Sequence, residues 1–318
     1  MSSILVTGAN GFVGHAVCRA LSGRGHVVTG LVRRGEVESD GVRTWRHDVA
    51  DFSGLREAWP KDYSPECVVH LAGRVHVMRD DAPDIQAAFN ATNVDGALRV
   101  AQAAHARGVR RLVFVSSIKA VAETDGGMPL DESTPLAPLD AYGRSKREAE
   151  ERLRRFAEET GLELVVVRPP LVYGPGVGAN FLQMMNVLWR RLPLPLGAVD
   201  VRRSLLFNDN LASALMHCAT DARAANSCFH VTDGEDLSVT ELLRELGCHL
   251  SKPARLFPVA PSLLRVAGTL TGRVAQIERL TMSLRVDSSH IGERLDWRPP
   301  FSVEEGLAAT ASWYRATH

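Results

Sequence analysis

The octapeptide Thr7-Gly8-Ala9-Asn10-Gly11-Phe12-Val13-Gly14 constrains this chain most, because it joins the apolar run Ile4-Leu5-Val6 to an amphipathic stretch over residues 12–24. Glycines at 8, 11 and 14 allow a tight turn, close approach of a pyrophosphate to the backbone and close packing of helix on strand. The N–H groups at the helix start then face the anion. The repeat is Gly-x-x-Gly-x-x-Gly, one residue longer than the usual dinucleotide fingerprint.

The strand-to-helix alternation continues downstream. Short β-branched runs at 26–32, 66–71, 111–116 and 162–168 are separated by helical patterns at 84–107 and 142–160, with another at 209–220. This order predicts an α/β fold: a Rossmann-type doubly wound parallel sheet over residues 1–168. After Arg168 prolines and glycines crowd into 168–178 and 192–197, and regular alternation is expected to lapse until a terminal helix near 302–316. Residues 169–318 are read as a smaller mixed α/β region that binds substrate, with segments near 203–231 returning to the first domain.

Composition excludes several classes. With 318 residues, 45% of them hydrophobic, and 37 basic against 37 acidic side chains, the chain carries neither the signature of disorder nor a field that would draw it to nucleic acid or a membrane. The five cysteines form no Cys-x-x-Cys pair, so neither a disulfide framework nor a metal site is indicated, and a cytoplasmic location is expected. No apolar run reaches the roughly 18–20 residues of a membrane span. Small molecules are therefore the expected ligands.

The second strand ends Leu31-Val32-Arg33-Arg34, where an acidic residue would hydrogen-bond an adenosine 2′-hydroxyl. Guanidinium groups there suit a 2′-phosphate, which favours NADP over the alternative, NAD. Asp48, followed by Val49 after the next strand, is a candidate for the adenine edge.

Only four of the 37 basic residues are lysine: Lys61, Lys119, Lys146 and Lys252. A chance Tyr-x-x-x-Lys is then expected about 0.05 times, yet Tyr142-Gly143-Arg144-Ser145-Lys146 places the pair on one helix face. A phenol is a poor acid-base group at neutral pH, and a neighbouring ammonium is expected to draw its pKa toward the working range. Upstream, Val113-Phe114-Val115-Ser116-Ser117 ends a buried strand at the crevice where such sheets bind ligands, and Ser117 is expected to share the substrate oxygen with Tyr142.

These motifs, with His70-Leu71-Ala72-Gly73, Asn93-Val94-Asp95-Gly96 and the run Arg168-Pro169-Pro170-Leu171-Val172-Tyr173-Gly174-Pro175, resemble the extended short-chain dehydrogenase/reductases and, within them, the nucleotide-sugar epimerases, dehydratases and reductases. The resemblance implies a catalytic triad of Ser117, Tyr142 and Lys146. It implies cofactor contacts at Gly8, Asn10, Gly11, Phe12, Val13, Gly14, Arg33, Arg34, Asp48, Val49, Leu71, Ala72, Gly73, Asn93, Val115 and Pro169, besides Tyr142 and Lys146. Asn180 and Arg203 correspond to positions that bind uridine and diphosphate, Arg279 is a third candidate for that role, and Lys119 is a further candidate for the substrate. A homodimer through helices 84–107 and 142–160 is also implied, with the alanine-rich stretch 97–106 allowing close approach.

Dehydratase relatives carry an Asp-Glu pair after the serine, where this chain has Ile118-Lys119, so a sugar 4,6-dehydratase is disfavoured. Two reactions remain. One is NADPH-dependent reduction of the C4 ketone of a UDP-4-keto-6-deoxy-hexosamine, similar to bacterial surface-polysaccharide ketoreductases; the other is 4-epimerisation of a UDP-hexose (UDP-glucose or UDP-GlcNAc) with tightly held NAD. Arg33 tips the expectation toward the reductase. A different carbonyl substrate, such as a steroid- or flavonoid-like ketone, and a non-catalytic NADP-sensing regulator stand behind these; the intact Ser117, Tyr142 and Lys146 argue against the regulator.

Overall fold

In a computed structural model, which describes residues 1–75, 82–272 and 274–318, the chain folds around a seven-stranded sheet with a three-stranded sheet beside it. The first half runs β1 (Ser3–Thr7), α1 (Phe12–Gly23), β2 (Val27–Val32), β3 (Val42–Arg46), α2 (Leu55–Ala58), β4 (Cys67–His70), α3 (Ile85–Asn90), α4 (Gly96–His105), β5 (Arg111–Val115), α5 (Ala141–Thr160) and β6 (Glu163–Arg168). The second half adds β7 (Leu171–Tyr173), α6 (Ala179–Trp189), β8 (Arg202–Phe207), α7 (Asn208–Thr220), β9 (Cys228–His230), β10 (Asp236–Ser238), α8 (Val239–His249), α9 (Pro261–Thr271), α10 (Val274–Thr281), α11 (Ser289–Leu295) and α12 (Val303–Thr317).

The large sheet has the order β3-β2-β1-β4-β5-β6-β9, every pair parallel. Its order reverses direction at β1 and β4, which opens a crevice beyond their C-terminal ends. Central strands are apolar on both faces because helices cover both. Val6, Val69, Val113 and Val167 join α1 and α7 in one core, while Leu5, Val68, Phe114 and Val166 join α4 and α5 in the other. The small sheet, β10-β8-β7, pairs β8 antiparallel with β10 and parallel with β7.

Three expectations need correction. The helical pattern 84–107 is not one α-helix: a single π-turn, Ala91–Asp95, interrupts it between α3 and α4. The region after Arg168 is more regular than its prolines suggest, since α6 to α11 intervene before α12. The alanines of 97–106 do not offer a face to a second copy, because Ala97, Ala101, Ala103 and Ala104 are buried against the chain's own sheet. The outward side of α5 is charged instead, with Arg152 bonded to Glu148 (2.6 Å) and to Asp95 of the π-turn (3.1 Å). Among the described residues no helix is long and apolar enough to cross a membrane, and no cluster of His, Cys, Asp or Glu is placed to hold a metal.

Candidate active site

The glycine loop is built by exclusion. Gly8 has φ +67°, and its carbonyl accepts the Gly11 N–H at 3.0 Å. A Cβ on Gly14 would lie 2.2 Å from that same carbonyl oxygen, so only glycine lets α1 start this close to the end of β1. No side chain caps α1, which leaves its first-turn N–H groups for an anion. Asn208, which the sequence reading did not single out, donates to the Phe12 carbonyl at 2.9 Å and keeps a buried, unbonded Oδ1 beside the same loop. A narrow cradle of backbone donors fits the diphosphate of a dinucleotide.

At the rim, Asn10 donates to the Arg34 carbonyl at 2.7 Å, which holds the turn after β2 over the loop. Arg33 and Arg34 are exposed, as are Asp48 and Val49 beyond β3. Glu36, the first carboxylate after β2, is paired with Arg46 at 2.6 Å.

The next strand end is fastened by Thr7. Its Oγ1 accepts the Ala72 N–H at 3.2 Å and bonds His70 Nδ1 at 2.8 Å, placing Leu71, Ala72 and Gly73 along the crevice. Burial pushes the His70 pKa down to about 3, with Lys146 adding to the effect, so the imidazole is neutral. Unfolding restores its ordinary value near 6.5, so between about 6.5 and about 3 the unfolded state binds the extra proton and stability falls as pH falls. In urea unfolding, the stability advantage of the wild type over His70→Asn is expected to shrink by about 1.4 kcal/mol per pH unit between roughly pH 6 and 4; a constant difference would show that His70 is not held neutral.

Asn93 sits in the π-turn with its side chain fully engaged. It accepts the Arg74 N–H (2.7 Å), donates to the Arg74 carbonyl (3.0 Å) and donates to Ser145 Oγ (2.9 Å), which in turn donates to the Tyr142 carbonyl (2.8 Å). The π-turn thus clamps the β4 loop to the first turn of α5, a use of such a turn that periodicity alone does not reveal. A Cβ on Gly73 would stand 3.1 Å from Asn93 Oδ1 and 3.5 Å from Lys146 Nζ, so the loop passes directly over the lysine.

Ser117, Tyr142 and Lys146 converge at this point. Asp140 starts α5 by accepting the Gly143 N–H at 2.7 Å, and Ser117 caps a 3-10 turn by accepting the Lys119 N–H at 3.2 Å. Gly143 has no room for a side chain, since a Cβ would sit 2.3 Å from the Lys119 carbonyl oxygen. That contact brings α5 onto the Ser117 loop. Part of Tyr142 remains accessible, yet protein atoms crowd its hydroxyl and push its pKa up to about 12, against an opposing hydrogen bond from Ser117. Lys146 is buried; it donates to the Val115 carbonyl at 2.9 Å and lies 4.8 Å from the Phe114 ring centre and 6.0 Å from that of Tyr142. Burial lowers its pKa to about 8. The expected draw of the ammonium on the phenol is therefore not what this arrangement shows, because the lysine is bonded to a carbonyl and desolvation dominates the tyrosine.

The substrate candidates are more dispersed. Lys119 is held by Asp140 (2.5 Å) and Glu123 (3.2 Å), an ion pair that fastens α5 to the loop rather than a free cation. Asn180 is exposed in the first turn of α6, and Arg203 on β8 donates to the Met282 carbonyl at 3.2 Å. Arg279 belongs to α10, but its side chain lies outside the described residues. Pro169 follows β6, and its carbonyl accepts the Ile118 N–H at 2.9 Å.

Residues 4–231 match the model of the family described as the NAD dependent epimerase/dehydratase family. The chain belongs to that family, and it is an enzyme of it. Within it, the chain is 37% identical over 312 residues to a UDP-glucose 4-epimerase of Vibrio cholerae, covering 97% of this chain and 94% of the relative. It is 34% identical over 272 residues to a 3-diazoavenalumate denitrifying reductase of a Streptomyces species, covering 82% and 86%. Among solved structures it resembles the UDP-glucose 4-epimerase of Thermotoga maritima, bound to UDP-glucose, with TM-score 0.78, 25% identity and 99% of both chains covered. These relatives thus include both an epimerase and a reductase.

Proposed function

We propose that this member of the family reduces the C4 ketone of a nucleotide-linked sugar, a UDP-4-keto-6-deoxy-hexosamine, with NADPH. The observation that carries the reading is the end of β2, where Arg33 and Arg34 are exposed and Glu36 is already paired with Arg46. A 2′-phosphate meets guanidinium groups there, and no free carboxylate from β2 competes for a 2′-hydroxyl. An exchangeable, consumed cofactor suits a reductase better than a recycled one.

When bound, the nicotinamide supplies the hydride. This chain's residues do the remainder: the glycine loop and α1 hold the diphosphate, Lys146 reaches ribose hydroxyls from beneath Gly73, and Ser117 orients the carbonyl oxygen. Tyr142 gives its proton to that oxygen. Its raised pKa keeps it protonated at neutral pH, which is the form a proton donor needs. The region around α6 and β8, with Asn180 and Arg203, receives the nucleotide in this reading, and residues 169–318 form the substrate side. A second copy against the helices of 84–107 and 142–160 is the partner the family resemblance implies.

The epimerase reading is favoured by the 37% identity to the Vibrio cholerae enzyme. It uses the same side chains, with Tyr142 taking and returning the proton at O4. Purified protein, checked for bound cofactor and mixed either with UDP-4-keto-6-deoxy-GlcNAc and NADPH or with a UDP-hexose alone, separates the two: stoichiometric NADPH oxidation supports the reductase, while co-purifying NAD and interconversion of UDP-hexoses overturns it. Arg33→Ala is expected to weaken NADPH binding by about 1.5–3 kcal/mol with little change for NADH. Equal losses for both cofactors would remove the basis for NADP.

A further inference from the structure

The helix that carries Tyr142 and Lys146 also carries a carboxylate that the chemistry above leaves unused. Glu150 is one turn beyond Lys146 on α5 and fully buried. Arg168, on β6 and nearly as buried, grips it with two hydrogen bonds, Nε to Oε1 at 3.0 Å and Nη2 to Oε2 at 2.6 Å. Arg154, half-exposed on the next turn, adds a third at 3.0 Å. A buried carboxylate without partners is strongly disfavoured, so the bidentate fork is what allows an anion here.

We propose that Glu150 is a positioning residue for Lys146: clamped to β6 by Arg168, it supplies the negative charge that keeps the buried lysine an ammonium and aimed at the Val115 carbonyl. The inference deepens the proposed function and rests on its reading of Lys146 as the cation beneath the ribose.

The surroundings of Lys146 offer no other anion among its named neighbours. From β5 it meets the Phe114 ring and the Val115 carbonyl; from β4, the neutral His70; from the π-turn and the loop above it, Asn93 and Gly73; from its own helix, Tyr142 and Glu150. Burial drives the lysine toward the neutral amine, and the Glu150 charge opposes it. Arg168 and Arg154, as cations on the same carboxylate, dilute that field. The arrangement therefore predicts opposite signs: loss of the acid makes Lys146 easier to deprotonate, and loss of Arg154, which leaves the Arg168 fork to hold the carboxylate ionised, makes it harder. A purely structural ion pair gives no such opposition.

Four lysines in the chain make the test direct, because ε-13C-lysine labelling yields four signals to titrate by NMR, with Lys146 assigned from its absence in Lys146→Met. In the cofactor-free wild type its midpoint is expected near about 8. Glu150→Gln is expected to lower it by about one unit and Arg154→Ala to raise it, with the alkaline limb of the kcat profile moving the same way. Should the buried substitutions unfold the protein, Arg154→Ala, at a half-exposed position, carries the test alone with an expected rise of about a few tenths of a unit. Glu150→Asp, which keeps the charge, is expected to restore the Gln variant toward the wild type. An unmoved midpoint, or displacement of all variants in one direction, overturns the inference. The titration needs no substrate, so its failure leaves the proposed reaction standing, and a different reaction leaves the titration valid.

Discussion

Tyr142→Phe is expected to lower turnover by about 100- to 10,000-fold while leaving cofactor affinity within about twofold, because it removes one proton donor and little else. The hydroxyl is crowded by protein atoms and hydrogen-bonded by Ser117, and its pKa of about 12 makes it a stored proton at neutral pH. Its ring packs 6.0 Å from that of Phe89, a contact that phenylalanine preserves. Steady-state kcat measured beside a fluorescence titration with cofactor checks both halves. Wild-type turnover in the variant would exclude Tyr142 as the donor, and a parallel loss of binding would mean that the substitution had disturbed the crevice.

Gly143→Ala is the second large effect expected, and it touches no reacting atom. The new Cβ would stand 2.3 Å from the Lys119 carbonyl oxygen and 3.1 Å from Pro138 Cβ, with backbone on one side and a ring on the other. Neither neighbour is a flexible chain end, so α5 must lift from the Ser117 loop, at a cost of about 1–3 kcal/mol in stability. A displacement near 1 Å between Tyr142 and Ser117 costs about 100-fold in rate. The signature is a fall in kcat larger than the stability loss explains, read by thermal unfolding and kinetics on one sample. Normal turnover would show that the contact does not set the spacing.

Much of this site is legible in the chain because its chemistry depends on rare local spacings. Three glycines at fixed offsets, a tyrosine four residues before one of four lysines, and a strand ending in two serines each have a physical reason that survives without coordinates. The parallel sheet is legible for a similar reason, since β4, β5 and β6 carry unbroken apolar runs, 67–69, 112–115 and 164–167, between polar ends. What is missed has weaker local signals. A strand is expected before Asp48, but its bounds are not marked: β3 reads Val-Arg-Thr-Trp-Arg and is largely exposed at the sheet edge, with no apolar run. The π-turn at Ala91–Asp95 depends on Asn93 finding Arg74 and Ser145, which are distant in sequence. The start of α8 was there to be found, because Ser238 and Glu241 form a capping box, as Ser302 and Glu305 do for α12. The charge state of Tyr142 depends on the protein atoms that crowd its hydroxyl, and helical spacing says only that it shares a face with Lys146.

The seventh strand of the large sheet, β9, is drawn from beyond the small sheet, and that routing governs how the two halves of the molecule are able to move. The chain leaves the large sheet after β6, comes back from β8 directly into α7, leaves again between β9 and β10, and returns once more when Ile291 and Leu295 of α11 enter the first core. Many strands of backbone therefore cross between the lobes. A jaw swinging on one flexible link is mechanically unavailable; any closing of the crevice over a ligand must be a shear of packed helices by small amounts, shared among all the crossings. A single proteolytic nick in any one crossing accordingly leaves two fragments still interlocked.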